Sequence, residues 1–148
     1  MTEQSTLTCA HVAVTGASGF VGRRLLDTLA QTGRSLVALS RSGTGVPDVR
    51  DVVLPRYADI ASLGSVLEGV DTLVHLAARA HQGSGGESDA RLFREANVDS
   101  ALAVARACLH VGVRRRVLIS SIGVHGSRTG GRPFTEADAP QPDELYAI

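Results

Sequence analysis

The 148-residue sequence predicts an α/β fold, a doubly wound parallel sheet of strand order 3-2-1-4-5 with helices on both faces. Three observations carry this. Short apolar runs alternate with amphipathic stretches from His11 to Ser121, the order that βαβ units require. The first run, His11–Thr15, lacks polar alternation, as a strand buried on both faces does. It passes directly into a glycine-punctuated turn that opens a helix. Right-handed crossovers then favour the doubly wound order. The length suits one domain with a sizeable core.

The elements follow in order. The first strand is His11–Thr15. The helix from Phe20 to about Thr32 carries Val21, Leu25 and Leu29 at i, i+4 and i+8, a stripe facing a sheet. Gly33 supplies its C-terminal stop. Ser35–Ser40 is the second strand, and 41–47 a Ser/Gly/Thr loop. Val52–Leu54 reads as a short third strand, and Asp59-Ile60 opens a helix that runs to about Glu68 and closes at Gly69. Asp71–Ala78 is the fourth strand. Arg79–Asp89 is too glycine-rich for an element and reads as a mobile loop. A long helix from about Ser88 to His110 presents Phe93, Asn97, Ala101, Val104 and Cys108. Val117–Ser121 is the fifth strand, 123–143 a loop, and Glu144–Ile148 the start of a further helix.

Fifteen basic residues balance fifteen acidic ones, so charge gives no ground for a nucleic-acid or anionic-membrane partner. No apolar run approaches the roughly 20 residues of a membrane span, and the polar start lacks a signal-peptide core. A cytoplasmic protein is expected. Cys9 and Cys108 are far apart and read as thiols in a reducing compartment. The five histidines have no metal-ligand spacing, so no metal is expected. All fifteen basic residues are arginine; the chain contains no lysine.

The chemistry starts at Gly16, Gly19 and Gly22, spaced G-x-x-G-x-x-G between strand and helix. Glycine permits the tight turn and the close approach of a bulky anion, and the helix points its free N–H groups at that anion. In this context the pattern implies the pyrophosphate of a dinucleotide. The crevice lies outside the carboxyl ends of strands one and four, where the glycine turn, Ala77–Arg79 and Ser121 fall. Ser40-Arg41 ends the second strand with no acid. An arginine there accommodates a 2′-phosphate, which tilts the expectation toward NADP over NAD. Asp59 reads as a helix cap, an adenine contact, or both. Asn97 interrupts an apolar stripe, so it is either a structural tie to neighbouring backbone or an active-site group. His75 reads as a satisfied core residue. Ser120, Ser121 and Tyr146 offer hydroxyls suited to proton transfer coupled to hydride transfer.

Together these pieces resemble the extended short-chain dehydrogenase/reductase superfamily, in its nucleotide-sugar epimerase/dehydratase group. The matching stretches are Thr15-Gly16-Ala17-Ser18-Gly19-Phe20-Val21-Gly22, Asp59-Ile60, His75-Leu76-Ala77-Ala78, Asn97-Val98, Ser120-Ser121-Ile122-Gly123-Val124-His125-Gly126 and Tyr146-Ala147-Ile148. The resemblance implies a Rossmann domain binding NAD(P). It places Gly16, Gly19, Phe20 and Val21 on the pyrophosphate, with Ser18 and Gly22 in the same turn, Asp59 and Ile60 beside the adenine, and Leu76, Ala77 and Ala78 behind the cofactor. Asn97 and Arg41 join the cofactor-binding set. Ser121 is implied to hydrogen-bond the reacting sugar oxygen and Tyr146 to act as general acid/base. A free phenol has a pKa near 10 and needs a positive environment to work near neutrality. The family supplies it with a lysine four residues beyond the tyrosine, and this chain has no lysine.

That departure sets the remaining expectations. The chain is expected to be the N-terminal NAD(P)-binding portion, 1–148, of a longer enzyme whose substrate-binding part is absent, and to turn over nothing as it stands. Ile122-Gly123 replaces the acidic pair that 4,6-dehydratases carry after the hydroxyl, which disfavours dehydration. His125 stands where the family usually has tyrosine. Phe134-Thr135-Glu136 and Pro140-Gln141-Pro142 look like UDP-sugar 4-epimerases and 4-keto-sugar reductases. The expected substrate is a nucleotide-sugar, UDP-linked, and the full-length protein a homodimer. The alternatives are a non-catalytic dinucleotide-binding sensor or interaction module, and a dehydrogenase or reductase of a non-sugar alcohol.

Overall fold

A computed structural model of the chain describes residues 11–57, 60–80, 87–144 and 146–147, with only the backbone described at 60, 87 and 88. Five strands, β1 (His11–Thr15), β2 (Ser35–Ser40), β3 (Val49–Val53), β4 (Thr72–His75) and β5 (Arg115–Leu118), form one sheet in the order β3-β2-β1-β4-β5. Every neighbouring pair is parallel. This is the doubly wound order expected from the sequence.

Helices cover both faces. On one face Leu26 of α1 (Phe20–Ala30) packs on Val12, Val14, Leu36 and Ala38. On the other, Leu63 and Leu67 of α2 (Ile60–Leu67) and Ala103, Val104, Ala107 and Cys108 of α4 (Ser100–His110) pack on Ala13, Val37, Leu39 and Leu73. Alternate residues of β1 and β2 therefore feed two cores, which is why both strands read as continuous apolar runs. Cys108 is fully buried and its thiol pKa is pushed up by that burial, which leaves it inert. Cys9 lies outside the described residues.

Several boundaries differ from expectation. The inward face of α1 is Gly22 and Leu26; Leu25 and Leu29 flank it, and Val21 is 57% exposed. The stripe is turned by one position because Gly22 is pressed against the Gly16–Ala17 backbone, which fixes the face that meets the sheet. β3 begins at Val49, three residues earlier than expected, and ends at Val53. It is an edge strand, so the exposed Arg50 and Asp51 are tolerated and the apolar pattern misses its start. β4 stops at His75 because the next two N–H groups turn to Thr15. β5 starts earlier than expected and is exposed along its length; Ser120 and Ser121 lie past its end. The expected single helix over 88–110 is three pieces: α3 (Glu87–Phe93), a π-helical turn (Arg94–Asp99) and α4. Of the glycine-rich loop before it, 81–86 lies outside the described residues.

The turned stripe gives a direct test. Leu26→Ala removes a fully buried side chain and should cost about 2–5 kcal/mol. Val21→Ala, on the exposed side, should stay within about 0.5 kcal/mol. Urea unfolding followed by circular dichroism separates the two, and equal costs would refute the assignment of faces.

Candidate functional site

The β1–α1 turn is shaped by what cannot fit into it. Gly16 has φ +66°, in the left-handed region, and a Cβ on it would lie 2.7 Å from Ala77 N and 2.8 Å from the Leu76 carbonyl carbon. Both are main-chain atoms, so no side chain is accommodated there. A Cβ on Gly22 would overlap the Gly16 carbonyl oxygen and sit 2.8 Å from Ala17 Cα. Gly19 is different. Its backbone is extended (φ −74°, ψ 171°), and a Cβ would meet only the Gly16 oxygen, at 3.2 Å. It is the N-cap of α1 and makes no side-chain capping bond. The first-turn N–H groups of α1 are thus left for an outside acceptor, with the dipole behind them. The Phe20 and Val21 side chains beside them are exposed, and the Ser18 carbonyl accepts from Arg23 Nε at 3.3 Å. Such a helix start holds an anion.

The floor under this turn is polar and buried. Thr15 Oγ1 accepts the N–H groups of Leu76 (3.2 Å) and Ala77 (3.3 Å) and lies 2.7 Å from His75 Nδ1. With both lone pairs taken, the hydroxyl donates its own hydrogen to Nδ1, and the network assigns the ring proton to Nε2. Nε2 is buried with no hydrogen-bond partner among the described residues. His75 is therefore a core residue, as expected, with Nδ1 satisfied and Nε2 without a partner among the described residues. Burial holds its pKa below the usual imidazole value.

Tyr57 was not marked as a site residue by its sequence. Its hydroxyl donates to the Leu39 carbonyl at 3.0 Å and accepts the Gly16 N–H at 3.4 Å, and its ring meets His75 edge-on at 6.4 Å. One phenol thereby ties the glycine turn to the end of β2. Burial raises its pKa. The available signal was a lone aromatic in the polar stretch after β3, in a chain with two tyrosines.

At the end of β2, the loop 41–47 is pinned by two side chains. Ser40 Oγ accepts the Gly43 N–H at 2.8 Å. The Asp51 carboxylate accepts the N–H groups of Thr44 (2.8 Å) and Gly45 (2.9 Å) and the Thr44 hydroxyl. Desolvation alone would raise the Asp51 pKa; the Thr44 and Gly45 N–H bonds, the Thr44 hydroxyl and the charge of Arg23 together outweigh it and hold the carboxyl below its ordinary value. Arg41 is exposed at the start of this loop.

The other expected residues fall as follows. Leu76 and Ala77 are half-buried against the turn and Ala78 is exposed. Asn97 lies in the π-helical turn and uses both ends of its amide on one residue: Oδ1 accepts Arg79 N–H at 2.7 Å and Nδ2 donates to Arg79 O at 3.0 Å. Of its two readings, this is the structural tie, made to the segment after β4. Ser121 caps a short 3₁₀ turn (Ile122–His125), its Oγ accepting the Gly123 N–H at 3.2 Å. A Cβ on Gly123 would lie 3.4 Å from Ser121 Oγ and 3.5 Å from Ala147 Cβ, so the 146–147 turn, with Tyr146 half-buried, sits beside Ser121. His125 stacks on Phe134 at 5.5 Å, over an open cleft lined by Gly126, Ser127, Arg128, Gln141 and Asp143. Ile60 begins α2; Asp59 lies outside the described residues. Among the described residues no group of His, Cys, Asp and Glu is placed to hold a metal, and no helix is long and apolar enough to cross a membrane.

A model of the NAD dependent epimerase/dehydratase family matches residues 12–148. The chain is 31% identical over 142 residues to the UDP-glucose 4-epimerase of Vibrio cholerae, covering 93% of this chain and 43% of that one. It is 33% identical over 152 residues to the dTDP-glucose 4,6-dehydratase of Streptomyces griseus, covering 93% and 45%. The solved UDP-glucose 4-epimerase from Brucella ovis in complex with NAD superposes with a TM-score of 0.82 at 25% identity, covering 93% of this chain and 43% of that one. The chain spans about half the length of these relatives.

Two predictions follow from the floor of the site. Tyr57→Phe keeps the ring and strands the Gly16 N–H and Leu39 carbonyl, so it should cost about 1–3 kcal/mol in chemical denaturation. His75 is buried with a depressed pKa, so the unfolded chain takes up its proton first. Stability should therefore fall as pH drops below about 6.5, the unfolded value, and level off below the folded value. In melts between pH 7 and 5, a His75→Gln variant should show a shallower slope than the parent; identical slopes would rule the contribution out.

Proposed function

This chain belongs to the NAD dependent epimerase/dehydratase family, and from that premise we propose that it is the dinucleotide-binding part of an NAD(P)-dependent enzyme acting by hydride transfer on a nucleotide-sugar, UDP-linked, as a 4-epimerase or 4-keto-sugar reductase. One observation carries the reading: the glycine turn, closed by main chain at Gly16 and Gly22, opens at Gly19 onto an uncapped helix start at the switch point between β1 and β4. The residues fit a dinucleotide. The N–H groups of Phe20 and Val21 take the pyrophosphate, with Ser18, Gly19 and Gly22 shaping the turn. Asp59 and Ile60 flank the adenine, and Leu76, Ala77 and Ala78 back the nicotinamide half. Asn97 acts there through the Arg79 backbone that it clamps.

When bound, the nicotinamide supplies the hydride acceptor or donor. The chain supplies the proton handling. Tyr146 takes the proton from the sugar hydroxyl, or returns it to the ketone, while the Ser121 hydroxyl hydrogen-bonds the same oxygen. The packing of Ala147 and Ser121 about Gly123 supports this pairing. Ile122-Gly123 places no carboxylate after Ser121, which favours epimerisation or reduction over dehydration. The 148 residues hold no lysine, so they do not themselves supply the lysine that the resemblance places four residues beyond the tyrosine to lower its phenol pKa toward neutrality.

The 148-residue protein should bind NADH, seen as enhanced nicotinamide fluorescence, and should not convert UDP-glucose. Gly16→Ala should abolish binding. Sustained turnover by the purified 148 residues would show that the proton transfer does not need a lysine. In a form of the protein that does turn over a UDP-sugar, Tyr146→Phe should lower kcat by about 10²–10⁴-fold and leave NADH affinity unchanged.

A further inference from the structure

We propose that the Tyr57 hydroxyl is a positioning group for the dinucleotide: a strut that fixes the pyrophosphate-binding turn after β1 relative to the adenine-side segment after β3, so that one ligand reaches both. The inference rests on the reading of the glycine turn as a dinucleotide site. Tyr57 needs no contact with the ligand to play this part.

The β1–β2 ladder ends at Thr15 opposite Leu39. The next two N–H groups, of Gly16 and Ala17, belong to the glycine turn and lie past it. The Ala17 N–H reaches the Leu39 carbonyl directly, at 3.2 Å. The Gly16 N–H takes a longer route. It donates to the Tyr57 hydroxyl at 3.4 Å, and that hydroxyl donates to the same Leu39 carbonyl at 3.0 Å. Three hydrogen bonds close a ring, with the phenol as its bridge. Gly16 is gripped on its other side as well, since its carbonyl accepts the Gly19 N–H at 3.0 Å. The start of the turn that faces the anion is therefore set by where the phenol stands.

The phenol is a rigid anchor. Tyr57 is buried, lies in the core with Leu39, Leu63 and Leu67, and meets His75 edge-on. Close packing fixes the ring, so the oxygen holds its place and holds the turn. Along the chain, Tyr57 comes two residues before Asp59 and three before Ile60, the pair assigned to the adenine. Two residues span at most about 7 Å. The same side chain thus belongs to the adenine-side segment by sequence and to the pyrophosphate turn by hydrogen bond. A dinucleotide is two linked half-ligands, and it gains over either half only when both subsites stand at the distance its linker spans. A strut that sets this distance before binding removes part of the ordering cost.

The test compares NADH with its parts on the 148-residue chain and on Tyr57→Phe, with circular dichroism to check folding. NADH is followed by nicotinamide fluorescence, adenosine and inorganic pyrophosphate by amide chemical shifts. Tyr57→Phe should weaken NADH about tenfold, the scale of one hydrogen bond. Each part alone should weaken by about twofold or less, because neither spans the two subsites. Val104→Ala, in the same core but on α4, controls for lost stability and should leave all three affinities within about twofold. Equal losses for NADH and its parts overturn the proposal, as does the same loss of NADH affinity in Val104→Ala, or undiminished NADH binding by a folded Tyr57→Phe chain. If Tyr57→Phe does not fold, amide hydrogen exchange on the parent decides. Before ligand is added, the Gly16 N–H should exchange at least about tenfold more slowly, relative to its intrinsic rate, than those of Phe20 and Val21 in the open helix start; equal rates overturn the strut. Failure of the parent to bind NADH overturns the dinucleotide reading itself, and this inference with it.

Discussion

The contact on which the rest depends is main chain against main chain: Gly16 pressed onto Leu76 and Ala77. It brings the end of β1 to the end of β4 more closely than any residue with a Cβ allows. The Thr15 hydroxyl then gathers the Leu76 and Ala77 N–H groups, and Tyr57 fastens the Gly16 N–H to β2 through the Leu39 carbonyl. Three strand ends are locked with two hydroxyls. Once they are locked, Gly22 sets the face of α1, and the open start of that helix is aimed over the crevice. The site is thus made by close packing first and by charge second.

The rim repeats one device. Each loop around the crevice is held by a side chain that takes its backbone N–H groups: Asp51 and Ser40 for 41–47, Thr15 and Asn97 for 76–79, Ser121 for the turn that follows β5. Irregular backbone becomes a rigid platform when its donors are satisfied locally. The consequence for ligand chemistry is selective. Satisfied loops offer walls and shape, while the first turn of α1 keeps its donors and offers an electrostatic site.

What the sequence revealed follows from how local each cause is. The strand order was legible because β1 and β2, buried on two faces, show unbroken apolar runs at Val12–Val14 and Leu36–Leu39. The edge strands β3 and β5 were blurred because Arg50, Asp51, Arg115 and Arg116 face solvent where one side of the ladder is open. Gly16, Gly19 and Gly22 were legible as a motif, yet the face of α1 was misread, since it depends on Gly22 touching Ala17 and not on periodicity. Asn97 announced itself as a polar residue in an apolar stripe; its partner, Arg79, did not, being 18 residues away across a loop. Tyr57 and Asp51 gave no signal of their role because their partners lie 41 and 18, or 7 and 6, positions away. A lone tyrosine or aspartate in such a stretch is unremarkable until the fold closes around it.

The π-helical turn at Arg94–Asp99 has a consequence of its own. It spends one more residue than an α-helix on the same rotation; the Ser100 N–H reaches back five positions, to Glu95. Downstream, that extra residue moves the inward face of the helix to Ser100, Ala103, Val104, Ala107 and Cys108 while Asn97 still faces Arg79. Delete one residue anywhere in the turn and regular α geometry returns, but α4 is left about 100° out of phase with α3. Either the core seam or the amide clamp is then lost. The turn is a phase shifter, in which helix length by a single position, independent of which side chain fills it, lets one run of helix serve a greasy interior at one end and a hydrogen-bonded rim at the other.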